Sequence, residues 1–166
     1  GQPVAAVAAW LIGRLLDGLD GPVARHRRAA SDFGGYLDMV ADTIGYAAVP
    51  IGVALGVDER RAWIAVAVLL GAFFINTISW SYLSAVLEKE GAGAAATGEM
   101  TTITMPPALV EGTETIVLFS LFIAFPQWSA GLFAAMAGLV SVNIGQRIAW
   151  ARRHLPTSLV AGKVGR

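Results

Sequence analysis

Apolar residues run through this chain in long blocks, and polar and charged residues fall in short stretches between them. Five blocks can be read: Pro3–Leu19, Gly34–Gly56, Ala62–Leu87, Ala108–Phe125 and Trp128–Trp150. The last four approach or exceed the roughly 18–20 residues a helix needs to cross a bilayer. The first is shorter. The blocks lack the strict alternation of a barrel strand. A lone strand in lipid would leave its backbone unpaired, so helices are predicted throughout. The predicted fold is all-α: a polytopic transmembrane helical bundle with five visible spans, forming one domain over residues 1–166. The segment Gly91–Gly98 reads as a Gly/Ala-rich loop.

Composition supports a membrane class. The chain is 55% hydrophobic and 14% charged, with mean hydropathy +0.62, against about 25% charged residues in ordinary soluble domains. Net charge is zero, so no nucleic-acid partner is expected. The absence of cysteine excludes disulfides, thiol chemistry and Cys-ligated zinc. His26 and His154, the two histidines, are expected in solvent-facing loops, and a His-rich metal site is excluded. No basic start or cleavage site of a signal peptide precedes the first block.

Basic residues set the predicted orientation. Arg25, Arg27 and Arg28 follow the first block and Lys89 follows the third. Arg147, Arg152, Arg153, Lys163 and Arg166 are assigned to the C-terminal tail. These alternate onto one side, which is therefore cytoplasmic. The other side has Arg60 and Arg61. Trp80, Trp128 and Trp150 sit near span ends, as interfacial aromatics do.

The chemistry concentrates in Asp17-Gly-Leu-Asp-Gly-Pro-Val-Ala-Arg25 and Gly34-Gly-Tyr-Leu-Asp-Met-Val-Ala-Asp42. Asp17 and Asp20 are three apart and share a helix face. Asp38 and Asp42 are four apart and do the same, with Gly34 one turn earlier. Pro22 and the basic run after it are read as the turn of a helical hairpin, at whose cytoplasmic end the four carboxylates converge. Unpaired acids at membrane depth cost roughly 2.5–3.5 kcal/mol each at a helix centre, and their repulsion favours protonation. Divalent cations remove both problems, and all-carboxylate oxygen sites suit Mg²⁺ or Mn²⁺, as one ion or as two about 4 Å apart. The plainer account is ion pairing to Arg14 or Arg25, which suits one pair of acids better than two. Arg14, three residues before Asp17, either steadies the acids or snorkels to the interface. Gly21, Ala24 and Gly34 are small enough for a ligand or a helix to approach closely.

The pattern Asp-x2-Asp-Gly-x2-Ala-Arg-x8-Gly-x3-Asp-x3-Asp resembles the signature of CDP-alcohol phosphatidyltransferases at each of its eight fixed positions. The segment Glu111-Gly-Thr-Glu-Thr115 resembles an uncharacterised bacterial branch of that family. The resemblance implies six helices with the signature starting in the second, so a first helix before Gly1 is expected. It also implies a homodimer, and the basic residues put the active site on the cytoplasmic face of an expected inner-membrane protein. The implied reaction joins an acceptor alcohol to the phosphate of a CDP-linked lipid, usually CDP-diacylglycerol, and releases CMP. By the same resemblance Asp17, Asp20 and Asp38 hold metal. Asp42 takes the hydroxyl proton and also reaches metal, while Gly21, Ala24, Arg25 and Gly34 line the cytidine side. Glu111 and Glu114, three apart in the fourth block, have two readings: candidate acceptor contacts, which would favour a neutral polyol or an amine-bearing alcohol, or structural acids that pair with Arg25 or Arg28 or cap the helix start. Two rival readings remain open: an intramembrane prenyltransferase and a cation-conducting transporter.

Overall fold

The computed structural model describes residues 2–26, 31–89 and 112–155. They form α1 (Gln2–His26), α2 (Asp32–Val57), α3 (Arg60–Lys89), α4 (Gly112–Ala124), a 3₁₀ turn (Pro126–Trp128) and α5 (Ser129–His154). No strand occurs among the described residues, as the block pattern predicted. Phe33–Val57, Arg60–Lys89 and Pro126–His154 are long and apolar enough to cross a membrane. The described part of α4 is 13 residues, a rise of about 20 Å. The apolar part of α1 is Val4–Leu16.

Two sequence expectations are corrected here. Pro22 does not make the turn: α1 runs through it to His26. Proline lacks an N–H, so the Gly18 carbonyl loses its i+4 donor, yet the helix continues. The break before α2 is instead marked by Ser31, whose Oγ accepts the Gly34 N–H at 3.1 Å. This is N-capping by a serine in extended conformation. His26 and His154 close α1 and α5 rather than sitting in loops. The His154 ring stacks on Trp150 at 4.2 Å.

The tight link between α2 and α3 is Asp58–Glu59. Asp58 adopts a left-handed conformation, φ 51°, and its N–H closes α2 on the Ala54 carbonyl. Its carboxylate accepts from Trp63 Nε1 at 3.4 Å. With so short a link, α2 and α3 must be antiparallel neighbours.

The core lies between α3 and α5, with α4 and α2 against it. Ala62, Val66, Leu69 and Ala72 of α3 meet Phe133, Met136, Ala137 and Val140 of α5, and Phe119 and Phe122 of α4 join them. The α3 positions step by three and four, one stripe of a helix. Alanines in both stripes let the backbones come close, as small residues do between membrane helices. Leu15, Phe74 and Tyr82 are exposed, as suits surfaces facing lipid.

Along α5 the buried stripe continues beyond Val140 to Asn143 and Arg147. Arg147, assigned from the sequence to the cytoplasmic tail, is 8% exposed within α5. Its Nη1 donates to Asn76 Oδ1 of α3 at 2.8 Å. The sequence reading followed charge, whereas the helical register puts Arg147 seven residues after Val140, on the same face.

Candidate active site

Among the described residues, an ion pair joins α1 to the second half of the aspartate motif. Arg14 Nη1 donates to Asp42 Oδ1 at 2.6 Å. The side chains are 22% and 31% exposed, so water only partly screens the pair. The Arg14 guanidinium also lies over the Trp10 ring, 5.1 Å from its centroid, within cation–π range. Of the two sequence readings of Arg14, steadying an acid is the one observed. Its side chain is directed at Asp42.

This bridge sets the register of the site. Trp10, Arg14 and Gly18 step by four along α1, and Tyr46, Asp42 and Asp38 step by four the opposite way along α2. One turn beyond the bridge on each helix lie the backbone positions of Asp17 and Asp38. The turn after that brings Asp20 and Gly21 in α1 and Gly34 in α2. One turn in the other direction is an aromatic floor. Trp10 stacks on Phe119 at 5.3 Å, Tyr46 meets Phe119 edge-on at 5.6 Å, and Phe73 lies 5.8 Å from Tyr46. Above this floor is a cleft of about 180 Å³ lined by Arg14, Gly18, Asp42, Tyr46, Gly112 and Thr115, among others. Carboxylates at one level and an apolar floor beneath suit a ligand with a charged head near the interface.

Among the described residues, the motif contributes Asp38, Asp42 and Gly34 to this end of the molecule. The side chains at Asp17, Asp20, Ala24 and Arg25, and the position of Gly21 beyond its place in α1, lie outside the description, as does all of Glu111. Asp38 is exposed and partnered. Gly34 is exposed at the first turn of α2, where an added Cβ would stand 3.3 Å from Ser31 Oγ. Glu114 is exposed, has a partner and does not line the cleft, whereas Thr115 does. No group of three acidic or histidine side chains occurs among the described residues, where the motif is represented by Asp38 and Asp42. The donor set fits a hard divalent cation by chemistry, since each motif acid offers oxygen.

Sequence reasoning missed Arg147 and Asn76. Asn76 is three residues after Phe73 on α3, so it rises one turn from the aromatic floor to the level of Arg14 and Asp42. Among the described residues, no carboxylate pairs with Arg147. The signal was available in the 3–4–3–4 spacing of Phe133, Met136, Val140, Asn143 and Arg147.

The family model for CDP-alcohol phosphatidyltransferases matches residues 1–143, the region holding both halves of the motif. The chain belongs to the CDP-alcohol phosphatidyltransferase family. One relative, the inner membrane protein YnjF of Escherichia coli (strain K12), is 40% identical over 130 residues, covering 78% of this chain and 62% of the relative. Another is the archaetidylinositol phosphate synthase of Pyrococcus horikoshii. It is 29% identical over 145 residues, covering 87% of this chain and 68% of the relative. The chain thus spans about three fifths to two thirds of the length of these two relatives. No solved structure gives a significant match. In this member of the family Arg14, three residues before the signature, bridges to Asp42, the signature's last position.

Proposed function

We propose that this chain transfers a phosphatidyl or other substituted phosphate group from a CDP-alcohol to an acceptor alcohol, releasing CMP. CDP-diacylglycerol is the favoured donor. Family membership supports the reaction class, and the observation that supports the site is the Arg14–Asp42 bridge, which joins α1, the helix that bears Asp17 and Asp20, to Asp42 of α2. The same membership counts against the prenyltransferase and transporter readings.

Phosphoryl transfer asks mainly for positioning and charge neutralisation. Asp17, Asp20 and Asp38, with Asp42 also reaching it, would hold Mg²⁺ or Mn²⁺, as one ion or two. Bound there, the metal would neutralise charge on the pyrophosphate and on the departing CMP. Asp42 accepts the proton of the attacking hydroxyl. Its Oδ1 is held by Arg14, which leaves Oδ2 for the acceptor. Gly21, Ala24, Arg25 and Gly34 line the cytidine side. The aromatic floor of Trp10, Tyr46 and Phe119 keeps water from the cleft on its membrane side.

Two acceptor readings stand. Glu111 and Glu114 favour a neutral polyol or an amine-bearing alcohol through charge-assisted hydrogen bonds. Arg147, a buried cation at the level of Asp42, favours an acceptor that carries phosphate. The name of the archaeal relative, an archaetidylinositol phosphate synthase, supports the second. The name of the bacterial relative supports an inner-membrane location, and the basic loops support a cytoplasmic site. Family resemblance supports a homodimer.

The test is CMP release by the purified chain in lipid nanodiscs containing CDP-diacylglycerol, with glycerol, serine, inositol, glycerol phosphate and inositol phosphate offered in turn. Release dependent on at least one alcohol is expected. No release with any alcohol, alongside turnover of a prenyl pyrophosphate, would overturn the proposal. Preference for a phosphate-bearing alcohol would decide for Arg147 over the two glutamates.

A further inference from the structure

A groove of about 650 Å³ lies between the first turns of α3 and α5. It is remote from the aspartate motif. The motif's second half stands at the start of α2, whereas α3 begins only after α2 has run its full length, and α5 begins after α4 has left the cleft. Ile64 and Val68 of α3 form one wall, and Ala134, Gly138 and Ser141 of α5 form the other. On α5 the lining runs from Ala130 to Ser141, a rise of about 16 Å. That is close to one leaflet of a hydrocarbon core about 30 Å thick.

The walls suit hydrocarbon. Among the described residues that line the groove, Ser141 carries the one hydroxyl, and its Oγ donates to the Ala137 carbonyl of its own helix at 2.7 Å. Glycine weakens a helix relative to alanine. At Gly131 and Gly138, both in the lining, an added Cβ would meet no atom within 4 Å. No described neighbour needs these two glycines, and the room they leave belongs to the groove.

The mouth of the groove is charged. Arg61 lines it, and its Nη2 lies 3.5 Å from Glu59 Oε2 in the α2–α3 link. Both side chains are more than half exposed. An exposed pair of this length is weak, so each partner can turn to a ligand. Arg60 and Asp58 flank the pair, and the Asp58 carboxylate already accepts from Trp63 Nε1. Two cations and two acids complement a headgroup that carries both signs and give no net attraction to a purely anionic one.

We propose that this groove binds an acyl chain of a zwitterionic, amine-bearing phospholipid, with the lipid phosphate on Arg61 and its ammonium on Glu59. The lipid sits in the leaflet opposite the motif, so the inference goes beyond the proposed reaction and does not depend on it.

The experiment is native mass spectrometry of the full chain, titrated in detergent with dioleoyl phosphatidylethanolamine or dioleoyl phosphatidylglycerol. The wild type should retain one phosphatidylethanolamine per chain. Its dissociation constant should lie about three- to five-fold below that for phosphatidylglycerol, the range of one exposed ionic contact. Glu59→Gln should erase that preference, and Arg61→Gln should weaken both lipids by a similar factor. Gly138→Leu puts a side chain into the groove and should abolish the one-per-chain retention. If Gly138→Leu does not fold, the two mouth variants decide, since both replace exposed side chains. Equal retention of the two lipids by the wild type, or undiminished retention by Gly138→Leu, would overturn the proposal. A dimer that dissociates in Gly138→Leu while lipid retention is unchanged would assign the groove to a second copy of the chain and overturn it too. No arm reads CMP release, so failure here leaves the proposed reaction untouched, and failure of that reaction leaves this inference untouched.

Discussion

In the proposed reaction Asp42 must point at the acceptor hydroxyl, and the Arg14 bond holds one of its two oxygens. Asp42→Asn keeps the shape and removes the basic oxygen. It should reduce turnover by at least about a hundred-fold, the lower range of a general base, with CDP-lipid binding retained in a filter or fluorescence assay. Gly34 answers to a different constraint. Its N–H caps on Ser31, and a Cβ there would press on Ser31 Oγ at 3.3 Å. Gly34→Leu is expected to fold, with a loss near the ~1 kcal/mol of an N-cap, and to lose CDP-lipid binding. A variant that binds the nucleotide lipid normally would contradict the assignment. Arg147 and Asn76 form the second polar pair. Hydrogen bonds to charged groups contribute about 1.5–3 kcal/mol, so Asn76→Leu alone should destabilise by about that much. Adding Arg147→Met should restore most of the loss, because the unpartnered buried cation is then gone. Thermal unfolding of the two single variants and the double variant in detergent checks this.

At the level of elements, the sequence exposed periodicity well and termini poorly. The spacing of Asp38 and Asp42 placed them on one face of α2, and the ladder from Tyr46 through Asp42 to Asp38 is that face. Pro22 predicts an earlier end to α1 than the structure has, because the loss of one backbone donor is tolerated and α1 carries the first half of the motif to its end. The α2–α3 link was legible only as a gap between apolar blocks. Its geometry depends on Asp58 in a left-handed conformation, which costs a non-glycine residue roughly 1–2 kcal/mol. Aspartate tolerates it better than most, and Trp63 adds a bond. Asp58→Val should lower the melting midpoint, while Asp58→Asn should stay near the wild type. The Arg14–Asp42 and Asn76–Arg147 pairs join residues 28 and 71 positions apart. No local spacing announces such contacts. Only the burial of the Arg147 face, visible in its stripe, hinted at the second.

At the scale of the molecule, the five described helices divide into a packed body of α3, α4 and α5 and a proposed reactive edge where α1 and α2 meet α4. The body is stabilised by the alanine-lined α3–α5 contact and by aromatic packing around Phe119, Phe122 and Phe133. Among the described residues, the Arg14–Asp42 ion pair and an aromatic floor hold that edge. Orientation can be tested cleanly because the chain has no cysteine. Glu59→Cys, in the α2–α3 link, should react with an impermeant maleimide in intact spheroplasts. Lys89→Cys, at the other end of α3, should react only after permeabilisation. The opposite pattern would invert the topology and put the aspartates on the outer face. The central claim is that the α1–α2 motif is a metal-dependent CMP-releasing site, and CMP release from CDP-diacylglycerol by the purified chain tests it most directly. That release should require Mg²⁺ or Mn²⁺, should cease in chelator, and should be lost in Asp17→Asn, Asp20→Asn and Asp38→Asn alike. Full release in chelator, or in any one of those three variants, would contradict it.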